Sequence, residues 1–295
     1  MKKEILNLDT LANQLSELGV KPGDVIFIAA DLMKLGYYNK NRLQTLDDIV
    51  DLLISLVGDE GTIVIPSYTK IFYRFKKQSD IIFKKIIEST SGNLSNHLLK
   101  HPRVLRSSHP TNSVLAIGKH ANLILKNHDE YSTCYSPLSK VIELGGKNLM
   151  LGCFNDFSLA PMALHAAQEK LNYTSKNWRS GLLQTYYYDS KGEKKLFTRY
   201  DIGGCTAGAH KALGYHLRNG AINILKTGNS VSALIDTKKS FDIFLDLLKN
   251  NPEIIRCEDS TCHDCNGSAI YNPKLFIFHW IGFLIRKLFS IKIFI

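Results

Sequence analysis

The sequence predicts an α/β fold, with one domain over residues 1–270 built on a central mixed, largely parallel sheet flanked by helices, and a separate tail over 271–295. Short apolar runs of strand length alternate with stretches of helical periodicity. Those runs are apolar throughout, as in strands covered by helices on both faces. No internal repeat or low-complexity linker divides the chain before the tail. With 295 residues, 44% hydrophobic and 22% charged, the composition excludes a disordered or fibrous protein.

The elements follow in order. Asp9 and Thr10 cap a helix whose Leu11, Leu15 and Leu18 share a face, and Gly19 ends it. Asp24 to Ala30 is a strand-length apolar run, and Thr45-Leu46-Asp47-Asp48 heads a helix running to Val57. Gly61 to Pro66 is a β-branched strand closed by proline. A helix begins near Ser91, a polar turn follows, and Asn112 to Ile117 is again a strand. Lys147 to Cys153 is a buried strand ending in a Gly-Cys-Phe-Asn loop, the place where open α/β sheets keep their sites. Leu159 to Leu171 reads as a helix with His165 and Glu169 one turn apart. Gln184 to Tyr200 alternates as a hairpin around Ser190-Lys191-Gly192.

The net charge is +10, but Lys274, Arg286, Lys287 and Lys292 lie in an acid-free tail, so the domain itself is less basic than the total implies. No groove of interleaved basic and aromatic residues is found, which argues against nucleic acid as a partner. The first twenty residues carry acids where a secretory segment needs an apolar core, so a cytoplasmic protein with reduced thiols is expected. Cys257-x4-Cys262-x2-Cys265, with Cys205 as a fourth thiolate, suits a closed structural Zn2+ site. His210, His216 and His263 are substitute ligands, and reduced cysteines without metal are the alternative. Cys153 is read as a small buried hydrophobe rather than an acyl-carrying nucleophile. The tail has a polar strip of His279, Gly282, Arg286 and Ser290 beside Phe278, Trp280, Ile281 and Leu284. That is the pattern of a helix lying in a membrane interface over 274–295, at the inner face of the cell membrane; packing in a homodimer is the alternative.

Ser91-Gly92-Asn93-Leu94, the Arg106-Ser107-Ser108-His109-Pro110-Thr111-Asn112-Ser113 turn, Tyr135-Ser136-Pro137-Leu138, Glu143 to Gly152, and the helix with His165 follow one another in an order that resembles the aminoglycoside 3-N-acetyltransferase family. The likeness extends from about Leu15 to residue 256, including the Gly61 to Pro66 strand and a closing segment over Gly228 to Leu248. The resemblance implies acetyl transfer from acetyl-CoA to an amine of an amino sugar, with His165 as the catalytic histidine. A histidine of near-neutral pKa is an economical general base for amine attack on a thioester. The family carries a glutamate three residues after this histidine; here that position is Gln168, so Glu169 is expected to orient the ring or receive the amine. The resemblance also implies that Arg106, Ser108, His109 and Ser113 lie along the coenzyme. Where the family has a histidine and two serines after the first strand, this chain reads Ala29-Ala30-Asp31-Leu32. Ala30 then allows close approach of the coenzyme, and Asp31 faces the cationic acceptor.

The expected function is therefore acetyl-CoA-dependent N-acetylation of an amino sugar. The tail favours a nucleotide- or lipid-linked sugar of surface polysaccharide synthesis as acceptor. Aminoglycoside 3-N-acetylation conferring resistance is the alternative, and a non-catalytic relative binding coenzyme A or sugar is a further one.

Overall fold

A computed structural model describes residues 6–36, 41–154, 162–176, 180–202 and 205–291. Its strands are β1 (Val25–Ala30), β2 (Thr62–Pro66), β3 (Phe72–Tyr73), β4 (Ile82–Phe83), β5 (Leu105–Arg106), β6 (Val114–Gly118), β7 (Lys147–Leu151), β8 (Leu183–Tyr188), β9 (Lys194–Thr198), β10 (Ile222–Thr227) and β11 (Ser230–Asp236). Its helices are α1 (Leu8–Leu18), α2 (Leu32–Leu35), α3 (Arg42–Val57), α4 (Asn93–Leu98), α5 (Ala121–Leu125), α6 (Ser136–Glu143), α7 (Met162–Lys170), α8 (Leu213–Arg218), α9 (Thr237–Asn250), α10 (His263–Asn266) and α11 (Phe276–Ile291).

The main sheet has the strand order β10-β11-β7-β1-β2-β6-β5. β7, β1 and β2 form the parallel centre, and the pairs outward of them on both sides are antiparallel. Period-two alternation explains why the central runs are apolar throughout. Val25 and Phe27 of β1 enter one core with Val64, Ala116 and Met150, under α5, α6, α7 and α9. Ile26 and Ile28 enter the other with Ile63, Leu115 and Leu149, under α1, α3 and α4. This is the mixed sheet flanked by helices that the sequence predicts.

Helix ends shift by a few residues for a local reason. Asn7, rather than Asp9 or Thr10, caps α1, accepting from Thr10 N at 3.0 Å, while Gly19 ends it with φ of 112°. Asn41 caps α3 by accepting from Gln44 N at 3.0 Å, so Thr45 lies inside the helix. In both cases an asparagine side chain three residues upstream reaches a backbone N–H that has no helical partner. The hairpin over Gln184–Tyr200 forms as β8 and β9 and belongs to a second, small sheet with β3 and β4.

Ile270, Tyr271 and Asn272, on either side of the boundary expected at 270, are buried. α11 then leans on α10 through His263, which stacks on Trp280 at 5.3 Å and meets Phe283 edge-on at 4.7 Å. Trp280 Nε1 also donates to Gly267 O at 2.9 Å. This corrects the reading of the tail: Trp280 belongs to the packed side of α11, and the outward side is Ile277, Phe278, Ile281, Leu284 and Ile285, each about half exposed or more. The side chains of Lys287 and Ser290, and all of Lys292, lie outside the described residues. No helix among the described residues is long and apolar enough to cross a membrane.

Candidate active site

β1, β2 and β7 run parallel, so their carboxyl ends share one edge of the sheet. α7 follows β7. Its Ala163, Ala166 and Ala167 are small and buried, which brings the helix close to α9 and the core residue Phe244. Met162, Leu164 and Gln168 are buried as well, leaving His165 and Glu169 half-buried on one face. The helix residues 159–161 of the expected element lie outside the described residues.

The His165 ring stacks on Tyr135 with centroids 4.6 Å apart and planes 16° from parallel. Its Nδ1 lies 3.1 Å from Gln168 Oε1, and Gln168 Nε2 donates to the Tyr271 hydroxyl. Tyr271 meets Tyr173 edge-on at 6.1 Å, and the Tyr173 hydroxyl donates to Leu248 O at 3.2 Å. With Nε2 of the amide engaged by Tyr271, its Oε1 is left to accept from Nδ1–H of the histidine. Nε2 of His165 is then the basic nitrogen. Burial holds the ring's pKa below the ordinary histidine value, against the raising effects of Gln168 and Asp201, so the ring is neutral at pH 7.

Glu169 is turned elsewhere. Thr133 Oγ1 donates to its Oε2 and Tyr135 N–H to its Oε1, both at 3.0 Å. Burial raises its pKa to about 7 despite those two bonds. The expectation that Glu169 orients the ring is therefore corrected: Gln168 does so, because Tyr271 holds its amide in place while Thr133 and Tyr135 draw Glu169 away. The carboxyl instead holds the segment that carries the stacking Tyr135.

Sequence reasoning missed the pair Arg199 and Asp201, a half-buried guanidinium and a buried carboxylate that form an ion pair just past β9. Asp201 raises the His165 pKa and Arg199 lowers it, both behind burial, the leading cause, and the Gln168 hydrogen bond. Cys134 Sγ donates to Tyr200 O at 3.0 Å, fastening this stretch beside Tyr135. The missed signal was an opposite-charge pair two residues apart at a strand end, a spacing that can put both on one face. Tyr135 stood inside a recognised stretch without a role.

The 106–113 turn is not an open coenzyme surface. Arg106 is buried; its Nε donates to Ser113 Oγ at 3.0 Å, Nη2 to Ser67 O at 2.9 Å, and Nη1 to Lys85 O at 3.2 Å and to Ile87 O. It lies over the Phe83 ring at 5.3 Å, and burial lowers its pKa to about 10. The expected phosphate contact is corrected to a clamp, since backbone carbonyls and Ser113 take up its donors. Ser113 is equally buried and donates to Ser67 O. His109 is enclosed, stacked on His128 at 4.8 Å, with Nδ1 accepting from Asn112 N at 3.0 Å. His109 is thus corrected from a coenzyme contact to a turn-forming residue, and Ser113 to a link between Arg106 and Ser67. Ser108 is half-buried, its N–H donating to His128 O at 2.9 Å. Ala30 is exposed at the end of β1, and Asp31 beside it pairs with Lys34 at 3.3 Å.

The Sγ atoms of Cys205, Cys257, Cys262 and Cys265 lie within 4.8 Å of one another. The histidines considered as substitutes are engaged elsewhere. His263 Nδ1 meets His279 Nε2 at 2.8 Å, His210 Nδ1 lies 2.7 Å from Ala207 O, and buried His216 bridges Ala212 O and Ser240 Oγ. Gly203 and Gly204, before Cys205, lie outside the described residues. Cys153 is buried, its Sγ 3.5 Å from Ala29 O.

Residues 27–249 match the family model described as aminoglycoside 3-N-acetyltransferase. The chain is 28% identical over 184 residues to the SPbeta prophage-derived aminoglycoside N(3')-acetyltransferase-like protein YokD of Bacillus subtilis (strain 168), a match covering 56% of this chain and 65% of that relative. It is 25% identical over 214 residues to aminoglycoside N(3)-acetyltransferase III of Salmonella sp, covering 66% of this chain and 71% of the relative. Among solved structures, the fold resembles aminoglycoside acetyltransferase AAC(3)-IVa as apoenzyme, with a TM-score of 0.72 at 20% identity over 90% of this chain and 98% of the other. It also resembles AAC-IIIb in binary complex with CoASH, at 0.67 and 21% over 84% and 97%, and sisomicin-bound AAC-VIa, at 0.68 and 20% over 84% and 99%. With the family model matching most of its length, the chain belongs to the aminoglycoside 3-N-acetyltransferase family, a family of acyltransferases.

Proposed function

We propose that this protein is an acetyl-CoA-dependent N-acetyltransferase whose acceptor is an amine of an aminoglycoside-type amino sugar. The observation that carries the proposal is His165, neutral at pH 7 and held by Gln168 and Tyr135 so that Nε2 is the proton acceptor. Acetyl-CoA supplies the activated acetyl group. His165 Nε2 takes the proton from the acceptor amine as its nitrogen bonds the acetyl carbonyl carbon, and returns it to the departing thiolate when the C–S bond breaks. Of the expected coenzyme contacts, Ala30 and Ser108 keep solvent access and are the two retained. Asp31, half-buried at the same edge and paired with Lys34, supports the reading of a carboxylate that faces the cationic acceptor.

The preference for a nucleotide- or lipid-linked sugar rested on the tail alone. The family match and the acceptor bound by a structural neighbour, sisomicin, favour the aminoglycoside reading over it. Acetyl-CoA turnover against a panel of aminoglycosides, nucleotide-linked amino sugars and free amino sugars tests this. Turnover is expected with aminoglycosides first. Coenzyme A binding without turnover of any amine would instead support a non-catalytic relative, and turnover confined to nucleotide-linked sugars would restore the first preference.

The outward apolar face of α11 and the acid-free charge of the tail support peripheral contact with an anionic membrane surface. A dimer interface is the competing use of that face.

A further inference from the structure

Four sulfur atoms from three separate stretches of chain converge on one point. A Zn2+ held by four thiolates at about 2.3 Å places its sulfurs about 3.8 Å apart, and these four lie within 4.8 Å of one another. A backbone amide aims at one of the sulfurs: Cys257 N–H donates to Cys265 Sγ at 3.4 Å. Such bonds orient thiolate ligands and offset their negative charge. Cys257 and Cys265 are buried, and Cys205 and Cys262 half-buried.

The frame around the sulfurs is built independently of them. A Cβ on Gly208 would fall 1.9 Å from Ile255 O, so only glycine lets the 205–208 segment lie against the 255–257 segment. Lys211 Nζ reaches Arg256 O at 2.7 Å across the same junction. Asn266 closes the third stretch, donating to Asp259 O at 2.8 Å and to Cys262 O at 3.1 Å.

We propose that Cys205, Cys257, Cys262 and Cys265 form a closed structural site for one Zn2+, and that the metal fixes the two stretches that complete the active site. Four protein ligands leave no open position, so the ion has no part in the chemistry. Its effect is positional. Cys205 lies four residues past Asp201, and Cys265 six before Tyr271, whose hydroxyl holds Gln168 and through it His165. Only this positional consequence rests on the function proposed above; the metal site stands without it.

The test uses the full chain, purified without chelators. Elemental analysis is expected to find about one equivalent of zinc. Exchange with Co2+ is expected to give thiolate-to-cobalt charge transfer and the intense visible bands of a tetrahedral site. Cys262→Ala should lose the metal; if that variant fails to fold, Cys262→His should keep about one equivalent with an altered cobalt spectrum. Stripping the metal should lower the melting temperature, a readout separate from acetyl transfer. Wild-type protein with reduced thiols, no bound metal and no uptake of Co2+ would overturn the proposal. Disulfides among these four cysteines, or stoichiometric iron in place of zinc, would overturn it equally.

Discussion

The hydrogen bond between His165 and Gln168 determines which ring nitrogen is basic, and replacing its partner changes the ring's proton affinity in a calculable direction. Gln168→Glu places a carboxylate on Nδ1–H, which favours the imidazolium and raises the pKa. The acid limb of kcat/KM is therefore expected to move to higher pH in this variant, and an unmoved limb would show that His165 is not the group observed. His165→Ala is expected to lower acetyl transfer by roughly 100-fold or more while coenzyme A binding persists; near-native turnover would remove it as the base. Arg106 makes a contrasting case. Its guanidinium satisfies buried carbonyls, so Arg106→Ala should cost about 1–3 kcal/mol of folding stability. Coenzyme affinity should remain near wild type; a large selective loss of affinity without a change in stability would return Arg106 to the coenzyme site.

At the scale of elements, α11 is divided between two environments. His279, Trp280 and Phe283 pack on His263, whereas Phe278, Ile281 and Ile285 recur at helical spacing on the outward side. Changing those three to Glu leaves the packed side intact and removes the apolar face. Binding to anionic vesicles is expected to weaken by roughly tenfold or more, because each large side chain buried in the boundary contributes about 1.5–3 kcal/mol at most. Cosedimentation checks this. A wild-type chain that ignores vesicles and runs as a dimer in gel filtration, with the triple variant monomeric, would assign the face to a second copy instead.

Over the whole molecule, buried titratable groups of opposite sign make stability depend on pH in two directions. Glu169 has a folded pKa of about 7, above its ordinary 4.5, because burial favours the neutral acid. Its contribution is fully present below about pH 4.5 and is lost as pH rises through 7. His165 has a lowered folded pKa, so its contribution is present above the ordinary histidine value and lost as pH falls. Glu169→Gln isolates the first effect. Between pH 5 and 8, wild-type stability in denaturant titrations should fall relative to the variant by about 1–3 kcal/mol, discounted for the partial exposure of the carboxyl. Parallel pH curves for the two proteins would contradict the raised pKa.

The sequence by itself determined the alternation of buried strands and helices, the glycine that ends α1, the hairpin at 184–200, the shared face of His165 and Glu169, and the spacing of the cysteines. These are legible because a strand's period of two, a helix's period of 3.6 and a turn's need for particular residues are local properties of the chain. The partners of the site residues were decided by tertiary structure. Positions three and four along a helix both lie near His165, and nothing local distinguishes them. Gln168 took the ring because Tyr271, 103 residues further on, holds its amide, while Thr133, 36 residues earlier, holds Glu169. Arg106 reads as a phosphate ligand in isolation. It became a clamp because carbonyls from residues 67, 85 and 87 enclose it, and an enclosed guanidinium must satisfy its donors with whatever the fold brings near.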